Sequence, residues 1–133
     1  MATRRKRIAG SIKNEVLKKS REAALCAIQV YNNPLVTFKA ETNIVLMMIA
    51  WTYLLHAHYR SNGVEYRYHS VIAGRKKFDK TRNNSYKYWS LEDCINASES
   101  PLDEHTKLNL KFLIGLRHEI EHSGTSSIDY LIS

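Results

Sequence analysis

The sequence predicts an all-α fold, an up-and-down bundle of four to five helices carrying one irregular basic insertion. Three observations predict it. Long stretches repeat apolar residues at helical spacings. Only two prolines and five glycines interrupt the chain, so no long Pro/Gly-rich linker exists. The 133 residues, 44% of them hydrophobic, suit one domain around a single core. Residues 1–10 are expected to be a basic flexible tail and 11–133 a single domain.

The first helix is predicted over 12–32, where Val16, Leu17, Ala23, Ala24, Ala27, Ile28 and Tyr31 recur at three- and four-residue spacings. Cys26 falls within its apolar stretch and reads as a core thiol. Asn32-Asn33-Pro34 ends it, because proline and the residue before it resist helix. Thr37 is a candidate cap for a second helix over 38–60. The middle of that helix, Ile44 through Trp51, is apolar on every side, which predicts a central helix covered all round.

Residues 61–89 change character. Asn62-Gly63 signals a turn, and Glu65 to His69 could form a short strand. Arg75, Lys76, Lys77, Lys80, Arg82 and Lys87 then follow, with Tyr86, Tyr88 and Trp89 nearby. Cations that meet phosphates, interleaved with rings that stack on bases, suit an RNA-binding surface. An exposed insertion whose aromatics pack back on the bundle fits the same residues.

Ser90-Leu91-Glu92-Asp93 opens a short helix ending near Ala97, with serine as its cap. Ser100-Pro101 opens the last long helix, whose apolar face is Leu108, Leu110, Phe112, Leu113, Ile114, Leu116 and Ile120. Gly124 is a natural stop.

Net charge is +7 and the pI about 9.5, which favours acidic partners, nucleic acid first. Cys26 and Cys94 have neither CxxC nor metal-ligand spacing and suit a reducing compartment. No apolar run follows Arg4-Arg5-Lys6-Arg7 as a secretory signal requires. The longest apolar stretch falls well short of the roughly 20 residues that span a bilayer. The expectation is a cytoplasmic protein without a membrane partner.

Candidate chemistry concentrates in Leu116-Arg117-His118-Glu119-Ile120-Glu121-His122. At about 100° per residue, Arg117 lies between the directions of Leu110 and Leu113, inside the apolar arc. A guanidinium there must find acceptors: it pairs within the protein, with Glu121 one turn on, or faces a cleft or interface. His118 and His122 share another face, and His122 sits where the helix dipole favours an imidazolium. His56 and His58, near the end of the second helix, could reach this site, but read first as helix-end or surface histidines. His69 and His105 have no partner in the sequence.

The Arg117-His118-(x3)-His122 pattern resembles the motif of the HEPN superfamily. Leu17-Lys18-Lys19-Ser20-Arg21-Glu22-Ala23-Ala24-Leu25, Tyr31-Asn32-Asn33-Pro34-Leu35-Val36-Thr37-Phe38, Ile49-Ala50-Trp51-Thr52 and Asn109-Leu110-Lys111-Phe112-Leu113-Ile114 resemble the bacterial family of domain of unknown function DUF3644. The resemblance implies a HEPN-like bundle and a metal-independent endoribonuclease that needs no cofactor. It also implies a homodimer with a composite active site, and a toxin or anti-phage effector held by an inhibitor or antitoxin protein. Carried over residue by residue, the catalytic positions are Arg117, His118 and His122, with histidine at 118 where asparagine is commoner in the superfamily. A non-catalytic RNA-binding or dimerisation module is the alternative.

His118-Glu119-Ile120-Glu121-His122 also matches the HExxH pattern of zinc hydrolases. Against that reading, Glu121 places a charge where such helices are apolar, and no His or Glu follows His122 as a third ligand.

Overall fold

The computed structural model describes the backbone of residues 9–123, and side chains over 12–120. It is mostly helical with a small two-stranded sheet: α1 (Ala9–Asn32), α2 (Lys39–Ser61), β1 (His69–Ile72), β2 (Arg75–Phe78), α3 (Leu91–Asn96) and α4 (Glu104–Ser123). The helix α1 takes in residues 9 and 10, which the sequence assigned to the tail. Residues 1–8 and Gly124 lie outside the described residues. Among the described residues, no helix is long and apolar enough to cross a membrane.

Helices α1 and α2 form an antiparallel pair. The Ser20 hydroxyl donates to the Ala50 carbonyl at 2.7 Å, while the Asn43 amide donates to the Ala27 carbonyl at 2.9 Å. As α1 advances, its partners on α2 recede. The contact is built from small residues: Ser20, Ala27, Ala50 and Ala57 are buried. Small side chains let the backbones approach closely enough for side chain to carbonyl bonds, which satisfy the buried Ser20 hydroxyl. Among the described helices, α1 packs against α2 alone, whereas α2 also packs against α3 and α4.

The main core therefore lies on the other side of α2. Ile44, Met48, Leu55 and Tyr59 meet Leu91, Cys94 and Ile95 of α3, Leu110 and Leu116 of α4, and Tyr66. Full burial of a side chain such as Leu55 stabilises by about 1.5–3 kcal/mol. The Tyr59 hydroxyl donates to the Cys94 carbonyl and that of Tyr68 to the Asp93 carboxylate, tying α3 to α2 and to the insertion.

Both ends of the passage from α2 to α3 follow local chemistry. Gly63 adopts φ +68°, and its N–H meets the Arg60 carbonyl at 3.3 Å while the Val64 N–H meets that of Tyr59 at 2.9 Å. This is the Schellman closure that a left-handed glycine allows. Ser90 caps α3 by accepting from the Asp93 N–H, as its sequence predicts.

Several expectations are corrected. Phe38, not Thr37, occupies the cap position of α2, with no side-chain cap bond. The helix α4 starts after Asp103, whose carboxylate accepts from the Thr106 N–H at 2.7 Å. Ser100-Pro101 precedes that helix instead of opening it. Cys26 is exposed, because it turns away from α2. Coverage of α2 is incomplete, since Ile49 and Leu54 are exposed. On α4, Leu108 and Phe112 are 62% and 67% exposed, so the apolar face is wider than the core it meets.

The insertion is more regular than its composition suggests. Strands β1 and β2 pair antiparallel from His69 with Phe78 to Ile72 with Arg75. Ala73 and Gly74 turn the chain with φ of 52° and 77°, the two-residue geometry whose twist matches a hairpin. Residues 66–68 pair in turn with 87–89, through Tyr68 N–H to Lys87 carbonyl at 2.9 Å and Trp89 N–H to Tyr66 carbonyl at 2.8 Å. The Arg67 guanidinium is held by Glu65 at 2.8 Å and lies 4.0 Å from the Phe78 ring centre and 4.6 Å from that of Tyr86. That stack gives the insertion its own small centre.

Candidate functional site

A cavity of about 640 Å³ opens between α2, α4 and the segment leading into α3. Its α2 wall is one helical face, Met48, Thr52 and His56 at four-residue steps with Ile49 and Tyr53 beside them. Tyr88, Trp89 and Glu92 close one side, and Ile114, Arg117 and His118 of α4 the other.

Two of the three motif residues thus reach one cavity. The apolar arc of α4 runs through buried Leu110 and half-buried Ile114, then arrives at Arg117, which is exposed on the cavity wall. Arg117 thus lines a cleft, while the side chain of Glu121, its candidate partner one turn on, lies outside the described residues. His118, the next residue, is exposed on the same wall. His122 lies on the α4 backbone one turn beyond His118, and its side chain, like that of Glu121, falls outside the described residues.

A second histidine lines the cavity, one that the sequence read first as a helix-end or surface residue and only second as able to reach the site. His56 is buried, 7% exposed, and its Nε2 lies 2.8 Å from the Trp89 carbonyl. A carbonyl can only accept, so Nε2 carries the proton and Nδ1 holds the lone pair of the neutral ring. Burial lowers the His56 pKa from its ordinary value, and the bond to Trp89 opposes that shift. The ring is therefore neutral near pH 7. A polar residue inside Leu54-Leu55-His56-Ala57, on the α2 face shared with Thr52 and Tyr53, was the available signal. His58 behaves as expected, within reach of the Asn62 amide at the helix end.

The aromatic side of the cavity is ordered. Tyr66 stacks on Tyr88 with ring centres 5.3 Å apart, and His56 lies 4.8 Å from Tyr66. Cys94, behind this wall, is fully buried, and desolvation pushes its thiol up to about 12, so it stays an uncharged packing group.

Arg75, Lys76, Lys77, Lys80, Arg82 and Lys87 are all exposed on the insertion and do not line the cavity. Strand β2 carries the first three, the 79–85 turn the next two, and Lys87 precedes Tyr88 at the cavity edge. The basic surface and the motif cavity are consequently joined by the 86–89 segment. Of the insertion's aromatics, Tyr66 packs into the core, Tyr86 packs within the insertion, and Tyr88 remains partly open.

No group of three or more His, Cys, Asp or Glu suited to a metal ion occurs among the described residues. Searches of curated proteins and of solved structures return no match. The model of a family described as a domain of unknown function, DUF3644, matches residues 15–133, and the chain belongs to that family.

Proposed function

We propose that this protein is a metal-independent endoribonuclease of the HEPN type, with a HEPN-like helical bundle. The observation that carries the reading is Arg117, a cation in the apolar arc of α4 that lines a cavity beside His118. RNA brings its own nucleophile, the 2′-OH. His122 handles the proton of that attack, Arg117 neutralises charge building on the phosphoryl oxygens, and His118 orients the phosphate. The products are a 2′,3′-cyclic phosphate and a 5′-OH. Arg75, Lys76, Lys77, Lys80, Arg82 and Lys87 hold the strand through its phosphates.

A homodimer with a composite site fits the exposure of Leu108 and Phe112 on the helix that carries the motif. A dimeric toxin or defence nuclease of this kind would be restrained by an inhibitor protein. The test is cleavage of a mixed RNA pool in EDTA by the native chain and by His122→Ala. Cleavage that survives EDTA and vanishes in the variant supports the reading; cleavage retained by His122→Ala refutes it. The six exposed cations of the insertion would serve a non-catalytic RNA-binding module equally well. In that case the native chain binds RNA without cutting it, and Arg117→Ala changes affinity only modestly.

A further inference from the structure

We propose that the Arg117 cavity is a nucleotide subsite, in which one unpaired base stacks on Tyr88 while its phosphate lies toward Arg117 and His118. The proposal deepens the ribonuclease reading and rests on it for the identity of the strand. Tyr88 is the outer member of a three-ring cluster. Tyr66 backs it at 5.3 Å with an interplanar angle of 29°, and His56 stands 5.9 Å away. The two inner rings are buried, at 6% and 7% exposure, while Tyr88 is 46% exposed. A ring backed by buried rings has little freedom to retreat, so its open surface is held ready for a ligand. The backbone on either side is pinned as well, by the Tyr68 to Lys87 and Trp89 to Tyr66 hydrogen bonds.

Size and charge complete the case. A volume of about 640 Å³ falls in the range of sites for small organic ligands, roughly 300–1,000 Å³. An aromatic surface and a guanidinium lining one cavity are the pairing that recognises a base with its phosphate. Lys87 adjoins Tyr88 in sequence and continues the cationic surface along the strand leaving the cavity. A base can enter only when it is out of a duplex stack, so the subsite selects single-stranded or looped RNA over paired RNA.

The test uses a fluorescein-labelled single-stranded deoxyoligonucleotide of roughly a dozen residues, which lacks the 2′-OH and cannot be cut by the proposed route. Its affinity is compared by anisotropy with that of the same backbone made abasic. The native chain is expected to prefer the base-bearing strand by about 5- to 150-fold, the worth of one stacked base. Tyr88→Ala should erase that preference and Tyr88→Phe keep it, with circular dichroism confirming that both fold. Equal affinity for the two strands, or a preference that survives Tyr88→Ala, overturns the proposal. Adenosine monophosphate that binds more tightly than the strand would assign the cavity to free nucleotides and likewise overturn it. Because binding is read without cleavage, a chain that shows the Tyr88-dependent preference yet cuts no RNA loses the ribonuclease reading and keeps the subsite.

Discussion

Leu110 and Arg117 are seven residues apart and point in nearly the same direction on α4, yet their replacement by alanine should have opposite consequences. Leu110 is 2% exposed within the core. Leu110→Ala removes its buried side chain and leaves a cavity, which costs about 2–5 kcal/mol of stability. Arg117 is exposed at the wall of an existing cavity. Arg117→Ala deletes no buried packing and should change stability by no more than about 1 kcal/mol, the range for an exposed charge together with any exposed ion pair it makes. Under the proposed ribonuclease reading its effect on cleavage should be large, because that reading sets the Arg117 charge where the phosphoryl oxygens become negative. Loss of one such group costs about 10²–10³-fold in rate. Urea unfolding followed by circular dichroism measures the first quantity, and initial rates on a labelled RNA in EDTA the second. An Arg117→Ala protein destabilised by more than about 2 kcal/mol would identify Arg117 as a structural ion-pair residue. A well-folded variant that cleaves within a few-fold of the native rate would remove Arg117 from the chemistry.

Two further outcomes test other parts of the structure. His56 has a lowered pKa in the fold, so between its folded pKa and the unfolded value of 6.5 the unfolded chain binds the extra proton. Stability is fully present above about 6.5 and falls as pH drops below it, by at most about 1.4 kcal/mol per pH unit for this one group; melting temperatures measured from pH 7.5 to 5 should show a fall that is smaller in His56→Gln, and an unchanged profile would mean that His56 is not held neutral. Ala73 turns the hairpin at φ 52°, a conformation that costs a non-glycine residue about 1–2 kcal/mol. Ala73→Asn supplies the Asn-Gly pair that favours this turn and should raise the melting temperature, whereas a lower one would show that the turn is not of this type.

Much of the fold was legible before any coordinates. The lengths of α1 and α2 follow from apolar spacing that continues until Pro34 and Gly63 stop it, and both stops act through their own backbone chemistry. The short α3 was legible because Ser90 and the acids after it are local signals. The hairpin was not: Ala73-Gly74 lacks the usual turn residues, and β1 and β2 alternate too few apolar side chains to declare a face. Its turn is imposed by pairing across the strands. The start of α4 was misplaced because Ser100-Pro101 resembles a helix opening as well as Asp103 does, and only the bond to the Thr106 N–H distinguishes them.

For the candidate site, the sequence by itself determined which residues carry charge and protons, and that Arg117 and His118 follow each other on one helix. Only the tertiary structure decided what faces them. Helical periodicity reports that a face is apolar and is silent on which element covers it. Leu108 and Phe112, read as core, are exposed because no described helix lies over them, and Cys26 is exposed because, among the described helices, α1 packs on α2 alone. His56 and Tyr88 are separated by a whole insertion in sequence and come to one cavity because residues 66–68 pair with 87–89 and return the chain to the flank of α2. The cavity exists because the wall of α2, the 88–92 segment and the end of α4 enclose a space that the core side chains do not fill, and that is a property of packing between elements, which no local pattern encodes.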